Sequence, residues 1–267
     1  MNNSPENTGM FNLKNRVIFV AGGAGYLALP ACRALLEQGA RIAIGDFNKE
    51  NLKAAIEVLG SEFPVNSILG LDFNIAEEES IANAIEEILE KFGRLDCLVN
   101  ATYRNIGKSV KDLTSAEFNQ ANSINITGTF LLVRAAAEAM ENGGSIILFS
   151  SMYGLISPNQ SDYPGRMEKN PVEYGAGKAA INQLARFMAG EYGRQNIRVN
   201  VIAPGPFPWE SVQKEHPVFM EKLSAKTMLG RIGRRDELAG TVVYLASDAS
   251  SYMTGQVLSV DGGVTAW

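Results

Sequence analysis

Val17-Ile18-Phe19-Val20-Ala21-Gly22-Gly23-Ala24-Gly25-Tyr26-Leu27-Ala28 runs from an apolar, strand-like stretch through a glycine-rich turn into residues with helical spacing. A turn of this kind lets backbone N–H groups approach a pyrophosphate, whose charge the helix N-terminus stabilises. Gly23-x-Gly25-x-x-Ala28 fits the dinucleotide pattern, with alanine where close helix packing needs only a small side chain. An ordinary tight turn is the competing reading. About twenty residues further on, Asp46 ends a second strand-like run, where a carboxylate can accept hydrogen bonds from ribose hydroxyls and repel a 2′-phosphate. No arginine follows in Asp46-Phe47-Asn48, although Lys49 does, so NAD is expected rather than NADP. Helix capping is the other reading of Asp46. Asp72-Phe73, after a third run, suits an adenine pocket or a turn.

Outward from this unit, strand-like runs at 16–21, 41–46, 67–71, 96–100, 145–150, 198–202 and 256–260 alternate with helical stretches at 27–38, 49–59, 77–91, 115–140, 172–192 and 235–247. Alternation of this kind implies a doubly wound α/β Rossmann fold: a seven-stranded parallel sheet with right-handed crossovers and helices on both faces. Two segments break the rhythm, 155–171 and 204–227. Both follow strands, which places them at the carboxyl edge of the sheet, where open α/β folds bind ligands. The expected organisation is a polar tail at 1–10 without signal-peptide character, then a single domain at 11–267.

Composition narrows the function. With 24 Lys+Arg against 29 Asp+Glu the net charge is −5 and no run of either sign is long, which argues against nucleic acid. Apolar runs are too short to span a bilayer, so a cytoplasmic protein is expected. Cys32 and Cys97 lie in apolar segments without metal-ligand spacing and read as core, and no metal is expected. His216, the only histidine, falls in the 204–227 segment and reads as a surface residue.

Tyr174-Gly175-Ala176-Gly177-Lys178 places a phenol and an ammonium on one helix face. A free tyrosine is a poor base at neutral pH, and an adjacent positive charge favours the phenolate. Tyr174 can then accept a hydroxyl proton as hydride leaves carbon. A solvated helix pair is the alternative. Tyr163, a second candidate base, is followed four residues later by Met167 rather than lysine and is rejected. Glu173 is expected to be solvated or at an interface.

Ordered along the chain stand Ala21-Gly22-x-x-Gly25, Asn100, Asn125-Ile126-Thr127-Gly128, Ser150-Ser151-x-x-Gly154, Tyr174-x-x-x-Lys178, Pro204-Gly205 and Asp261-Gly262-Gly263. Together they resemble the short-chain dehydrogenase/reductase family over almost the whole chain, 11–267. The resemblance implies a catalytic tetrad: Ser151 orients the substrate oxygen, Tyr174 transfers the proton, Lys178 holds the nicotinamide ribose and lowers the tyrosine pKa, and Asn125 anchors a relay water. It also implies cofactor contacts at Gly22, Gly25, Tyr26, Leu27, Asp46, Phe47, Asp72, Phe73, Asn100, Ala101, Thr102, Tyr174, Lys178, Pro204, Gly205 and Phe207. Three motifs depart from the family pattern. Tyr26 and Ala28 stand at glycine positions, the usual N-N-A-G reads Asn100-Ala101-Thr102-Tyr103, and the threonine usual beyond Pro204-Gly205 is replaced.

Ser151 and Tyr174 are 23 positions apart, wider than is usual in the family, so 155–171 reads as a substrate-loop insertion and 204–227 as a lid. Gly154-Leu155-Ile156-Ser157-Pro158, Asn170-Pro171-Val172-Glu173-Tyr174 and the terminal Asp261–Trp267 resemble the family's sugar and polyol oxidoreductases, including gluconate-type and nonulosonate-pathway members. The expected pocket loops hold Tyr103, Arg104, Asn105, Asn159, Gln160, Ser161, Asp162, Tyr163, Arg166 and Trp209, a donor-rich set suited to several hydroxyls. From these the substrate contacts are Arg104, Ser151, Tyr163, Arg166, Tyr174 and Trp209: a sugar can stack on Trp209 or Tyr163, and the arginines can pair with an anionic group. Reduction of a 3-oxoacyl or other hydrophobic ketone, and a non-catalytic NAD-binding regulator, are the competing functions. Alanine-rich faces on 115–140 and 172–192 suit a second subunit, and the family is commonly dimeric or tetrameric through such helices.

Overall fold

The computed structural model describes residues 9–165 and 167–267; of the expected tail only Gly9 and Met10 fall within them, and Arg166 lies outside. Strands β1 (Val17–Ala21), β2 (Arg41–Asp46), β3 (Ile68–Asp72), β4 (Cys97–Asn100), β5 (Gly144–Phe149), β6 (Ile197–Pro204) and β7 (Val257–Val260) form one seven-stranded sheet in the order β3-β2-β1-β4-β5-β6-β7. Every pairing is parallel. Helices in chain order are α1 (Ala28–Glu37), α2 (Lys49–Gly60), α3 (Glu78–Phe92), α4 (Ser115–Asn122), α5 (Thr129–Ala139), α6 (Val172–Tyr192), α7 (Glu210–Glu215), α8 (Pro217–Ala225) and α9 (Ala239–Ala246).

β1 is buried along its length because successive side chains enter different layers. Val17, Phe19 and Ala21 join the apolar cluster beneath α3, α5 and α6, whereas Ile18 and Val20 join that beneath α1, α2 and α9. Continuous apolar strands are what a parallel sheet covered on both faces requires. From β1 the chain winds outward to β3, then returns to start β4 on the other side of β1. That reversal opens a crevice at the carboxyl ends of β1 and β4.

The 115–140 stretch, expected as one helix, is interrupted. A capping box between Thr114 and Glu117 starts α4, and a π-helical turn at Ser123–Gly128 separates it from α5. The wider turn carries Asn125 inward, and Gly128 passes so close to Ile75 that an added Cβ would meet its carbonyl oxygen at 2.5 Å. The 235–247 stretch also differs: Arg235–Leu238 is a 3-10 turn leading into α9. Both cysteines are buried and unpaired. Among the described residues, no helix is long and apolar enough to cross a membrane and no His/Cys/Asp/Glu cluster could hold a metal ion.

Candidate active site

A cleft of 520 Å³ opens where β1, β4, β5 and β6 end. One wall is the glycine turn. Gly22 has φ +74, and a Cβ on it would come within 3.0 Å of the Thr102 nitrogen, so only glycine lets this turn lie against the exit of β4. Gly22, Gly25, Tyr26, Leu27, Ala101, Pro204, Gly205 and Phe207 line the cleft together with Tyr174 and Lys178. Bare main chain at the start of α1 is a cradle that fits a dinucleotide pyrophosphate.

Other expected cofactor residues lie outside that lining. The Asp46 carboxylate accepts from the Ala24 and Asn48 amides at 3.2 and 3.0 Å, tying the tip of β2 to the glycine turn. Helix α2 is capped by Asn48 instead, whose side chain accepts from Glu50 and Asn51. Phe47 is exposed, and the Asp72 carboxylate pairs with Lys49 at 2.5 Å. The Phe73 ring is buried, edge-on to Phe19 with centroids 5.3 Å apart. Asn100 is buried, donating to Thr129 and accepting from the Thr102 amide and hydroxyl.

At the far end of the cleft the residues expected to form a tetrad converge from three elements. Ser151, at the exit of β5, lines the cleft with Tyr174 and accepts from the Tyr153 amide at 3.1 Å. Lys178, one turn along α6, is buried; its Nζ lies 5.7 Å from the Tyr174 ring centroid and donates to the Phe149 carbonyl at 2.7 Å. Asn125 is buried beside them, but its carboxamide is engaged on both sides by one residue: Oδ1 accepts from the Arg104 amide at 2.9 Å and Nδ2 donates to the Arg104 carbonyl at 2.7 Å.

Electrostatics here differ from the expectation of a lysine-lowered tyrosine. Burial pushes the Tyr174 phenol up to about 12, with the Ser151 hydrogen bond pulling the other way. Burial also pushes Lys178 down to about 7. Desolvation disfavours the charged form of each group and is the largest cause of both shifts.

The substrate side also departs from the sequence reading. Asn159, Gln160, Ser161 and Asp162 do not line the cleft. They hold the 155–171 segment together and onto α8: Lys226 pairs with Asp162, and Lys222 donates to the Ser161 carbonyl at 2.5 Å. What this segment presents inward is Tyr163, Met167, Glu168, Lys169, Asn170 and Pro171. The Tyr163 ring packs on Phe219 at 5.0 Å, and its hydroxyl shares a 2.8 Å hydrogen bond with that of Tyr153. Burial, then the Tyr163 hydroxyl, pushes the Tyr153 phenol up, keeping it neutral. Trp209 lines the cleft but stacks on Tyr26, with centroids 4.5 Å apart at 31°. The Arg104 side chain is exposed and does not reach the lining.

Two neighbours went unread in the sequence and a third was misplaced. Tyr153 and Phe149 are obscured because one acts two residues beyond the serine and the other through its carbonyl. Glu173, expected to be solvated or at an interface, is fully buried and accepts from the Ile106 and Gly107 amides.

Comparison with known proteins places the chain in a family. The family model described as "Enoyl-(Acyl carrier protein) reductase" matches residues 25–265. A 3alpha-hydroxysteroid dehydrogenase of Mediterraneibacter gnavus is 33% identical over 94% of this chain and 97% of its own. A 3-oxoacyl-[acyl-carrier-protein] reductase of Thermotoga maritima is 28% identical over 94% and 98%. The solved structure of a gluconate 5-dehydrogenase from Burkholderia cenocepacia, in complex with NADP and tartrate, superposes with a TM-score of 0.84 at 29% identity, covering 97% of this chain and 98% of the other. By family model, sequence, sheet order and the setting of Ser151, Tyr174 and Lys178, the chain belongs to the short-chain dehydrogenase/reductase family, oxidoreductases that work with a nicotinamide cofactor.

Proposed function

We propose that the chain transfers a hydride between NAD and a secondary alcohol or ketone of a sugar, sugar acid or polyol, with Tyr174 as the general acid/base. The observation carrying this reading is the convergence of Ser151, Tyr174 and Lys178 on one end of the cleft, with the Lys178 Nζ 5.7 Å from the Tyr174 ring centroid. A bound nicotinamide supplies the hydride acceptor or donor. Ser151 holds the substrate oxygen, and the Tyr174 phenol takes or returns its proton. Lys178 holds the cofactor ribose and, when protonated, favours the phenolate. Asn125 serves the relay water through its main-chain carbonyl, since Arg104 engages its carboxamide. That carbonyl accepts from Thr129 at 3.0 Å and has a second lone pair.

Asp46 supports NAD over NADP, being a carboxylate at the β2 tip. A gluconate 5-dehydrogenase with NADP among the related structures makes the choice worth measuring directly. Asn105, Lys169, Asn170 and the Tyr153–Tyr163 pair support a polar substrate, and 204–227 serves as the lid. A second reading, a cyclic or acyl ketone, is favoured by the wall that Met167, Val212, Phe219 and Leu223 form around Tyr163. The same reading takes the protein to be a cytoplasmic dimer or tetramer. The test is one panel of polyols, aldonates, hydroxysteroids and 3-oxoacyl thioesters with NAD and NADP. The reading expects turnover with NAD, lost by about 10²- to 10⁴-fold in Tyr174→Phe while cofactor binding persists. Normal turnover by that variant sinks it.

A further inference from the structure

The loop from β4 to α4 carries Tyr103, which lines the cleft where the family pattern has glycine. Its ring stands edge-on to Tyr174, with centroids 5.9 Å apart at 79°, and the Lys178 Nζ lies 5.8 Å from its centroid. This loop has little regular structure of its own, so side chains from outside must fix it. Asn100 holds Thr102, Asn125 holds both sides of Arg104, and Glu117 of α4 holds Lys108. The remaining anchor comes from the catalytic helix. Glu173, immediately before Tyr174 and 0% exposed, directs Oε1 at two consecutive amides, Ile106 at 2.8 Å and Gly107 at 3.4 Å. Gly107 turns at φ +75, which brings successive N–H groups onto one oxygen.

We infer that Glu173 is a positioning residue for the active site: by binding the Ile106 and Gly107 amides it registers the loop onto α6 and holds Tyr103 against the Tyr174–Lys178 pair. A buried carboxylate is retained next to the reacting tyrosine because it spans the two elements whose separation sets the width of the cleft at the proton-transfer end. The Oε2 atom makes no hydrogen bond among the described residues, so replacing it by an amide nitrogen removes none of the contacts. The inference rests on the reading of Tyr174 and Lys178 as the proton-transfer centre.

Its test needs no substrate. Amide exchange at Ile106 and Gly107 and the titration of Lys178, both followed by NMR of the labelled full chain, are compared in wild type, Glu173→Gln, Glu173→Ala, Tyr103→Ala and the Glu173→Ala/Tyr103→Ala double variant. Glu173→Ala is expected to speed exchange at the two amides by about 10- to 100-fold. It should also move the Lys178 midpoint upward, from about 7 toward the solvated value, as water reaches the space that Tyr103 leaves. Glu173→Gln restores both observables. In the Tyr103→Ala background the glutamate change adds no further shift in Lys178, as two groups acting through one path require. If Glu173→Ala fails to fold, Glu173→Asp, one methylene too short to reach both amides, takes its place. Unchanged exchange overturns the inference, and so does an undiminished Lys178 shift in the Tyr103→Ala background. Failure of Tyr174→Phe to lose turnover would instead strike the proposed reaction and leave the clamp standing.

Discussion

Tyr174 and Lys178 were legible as a pair from their spacing, but the sequence carries no measure of how dry the pair is. Burial drives each toward its neutral form, and the lysine loses its proton near pH 7. The unfolded chain keeps that proton up to about 10.5, so between these values it binds more protons than the folded chain, and unfolding free energy rises with pH. Denaturant titrations across this window should show wild type gaining, through this group, at most about 1.4 kcal/mol per pH unit relative to Lys178→Met, which cannot titrate. Equal pH slopes in the two proteins would count against a dry lysine. Glu173 shows the same limit from the other side: its spacing puts it off the face of Tyr174, which suggested solvent, and only the returning 104–107 loop makes that face interior.

Strands and most helices followed from hydrophobic period, since a covered parallel sheet writes its burial directly into the chain. A π turn does not. It keeps the same apolar pattern as the helix around it, and its cause is the pull of Asn125 onto Arg104 and the bare Cα of Gly128, both long-range contacts. The 155–171 segment misled for a related reason: its polar residues were visible, but the direction they face was not. Asp162 and the Ser161 carbonyl meet Lys226 and Lys222 at the end of α8, so the two irregular segments behave as one docked unit around Tyr163, Phe219 and Leu223. Lys226→Met strands the largely buried Asp162 carboxylate, at a cost of about 3 kcal/mol or less given partial exposure of the lysine. Limited proteolysis should then cut within 204–227 several-fold faster, with cofactor affinity unchanged; equal cleavage rates would mean that this ion pair does not hold the segment.

At the scale of the molecule, seven parallel strands whose order of addition reverses at β1 gather Gly22, Asn100, Ser151 and Pro204 at one edge, and that convergence was readable before any contact was. Which outer surfaces meet another subunit was not, because an alanine-rich helix face looks alike whether it packs on its own sheet or on a neighbour. α6 leaves Phe187 66% exposed, and Phe130 at the start of α5 is 38% exposed. Sedimentation velocity should find a dimer or tetramer, and Phe187→Glu should shift it toward smaller species; a monomeric wild type would end that proposal. The stack of Tyr26 on Trp209 has an optical consequence. The chain has two tryptophans, and Trp267 is 74% exposed at the terminus, so its emission is a nearly constant, water-relaxed background. Trp209 joins the glycine turn to the 204–227 segment, which makes its fluorescence a built-in gauge: a dinucleotide binding beside Tyr26 is expected to shift its emission, reporting occupancy before any chemistry begins.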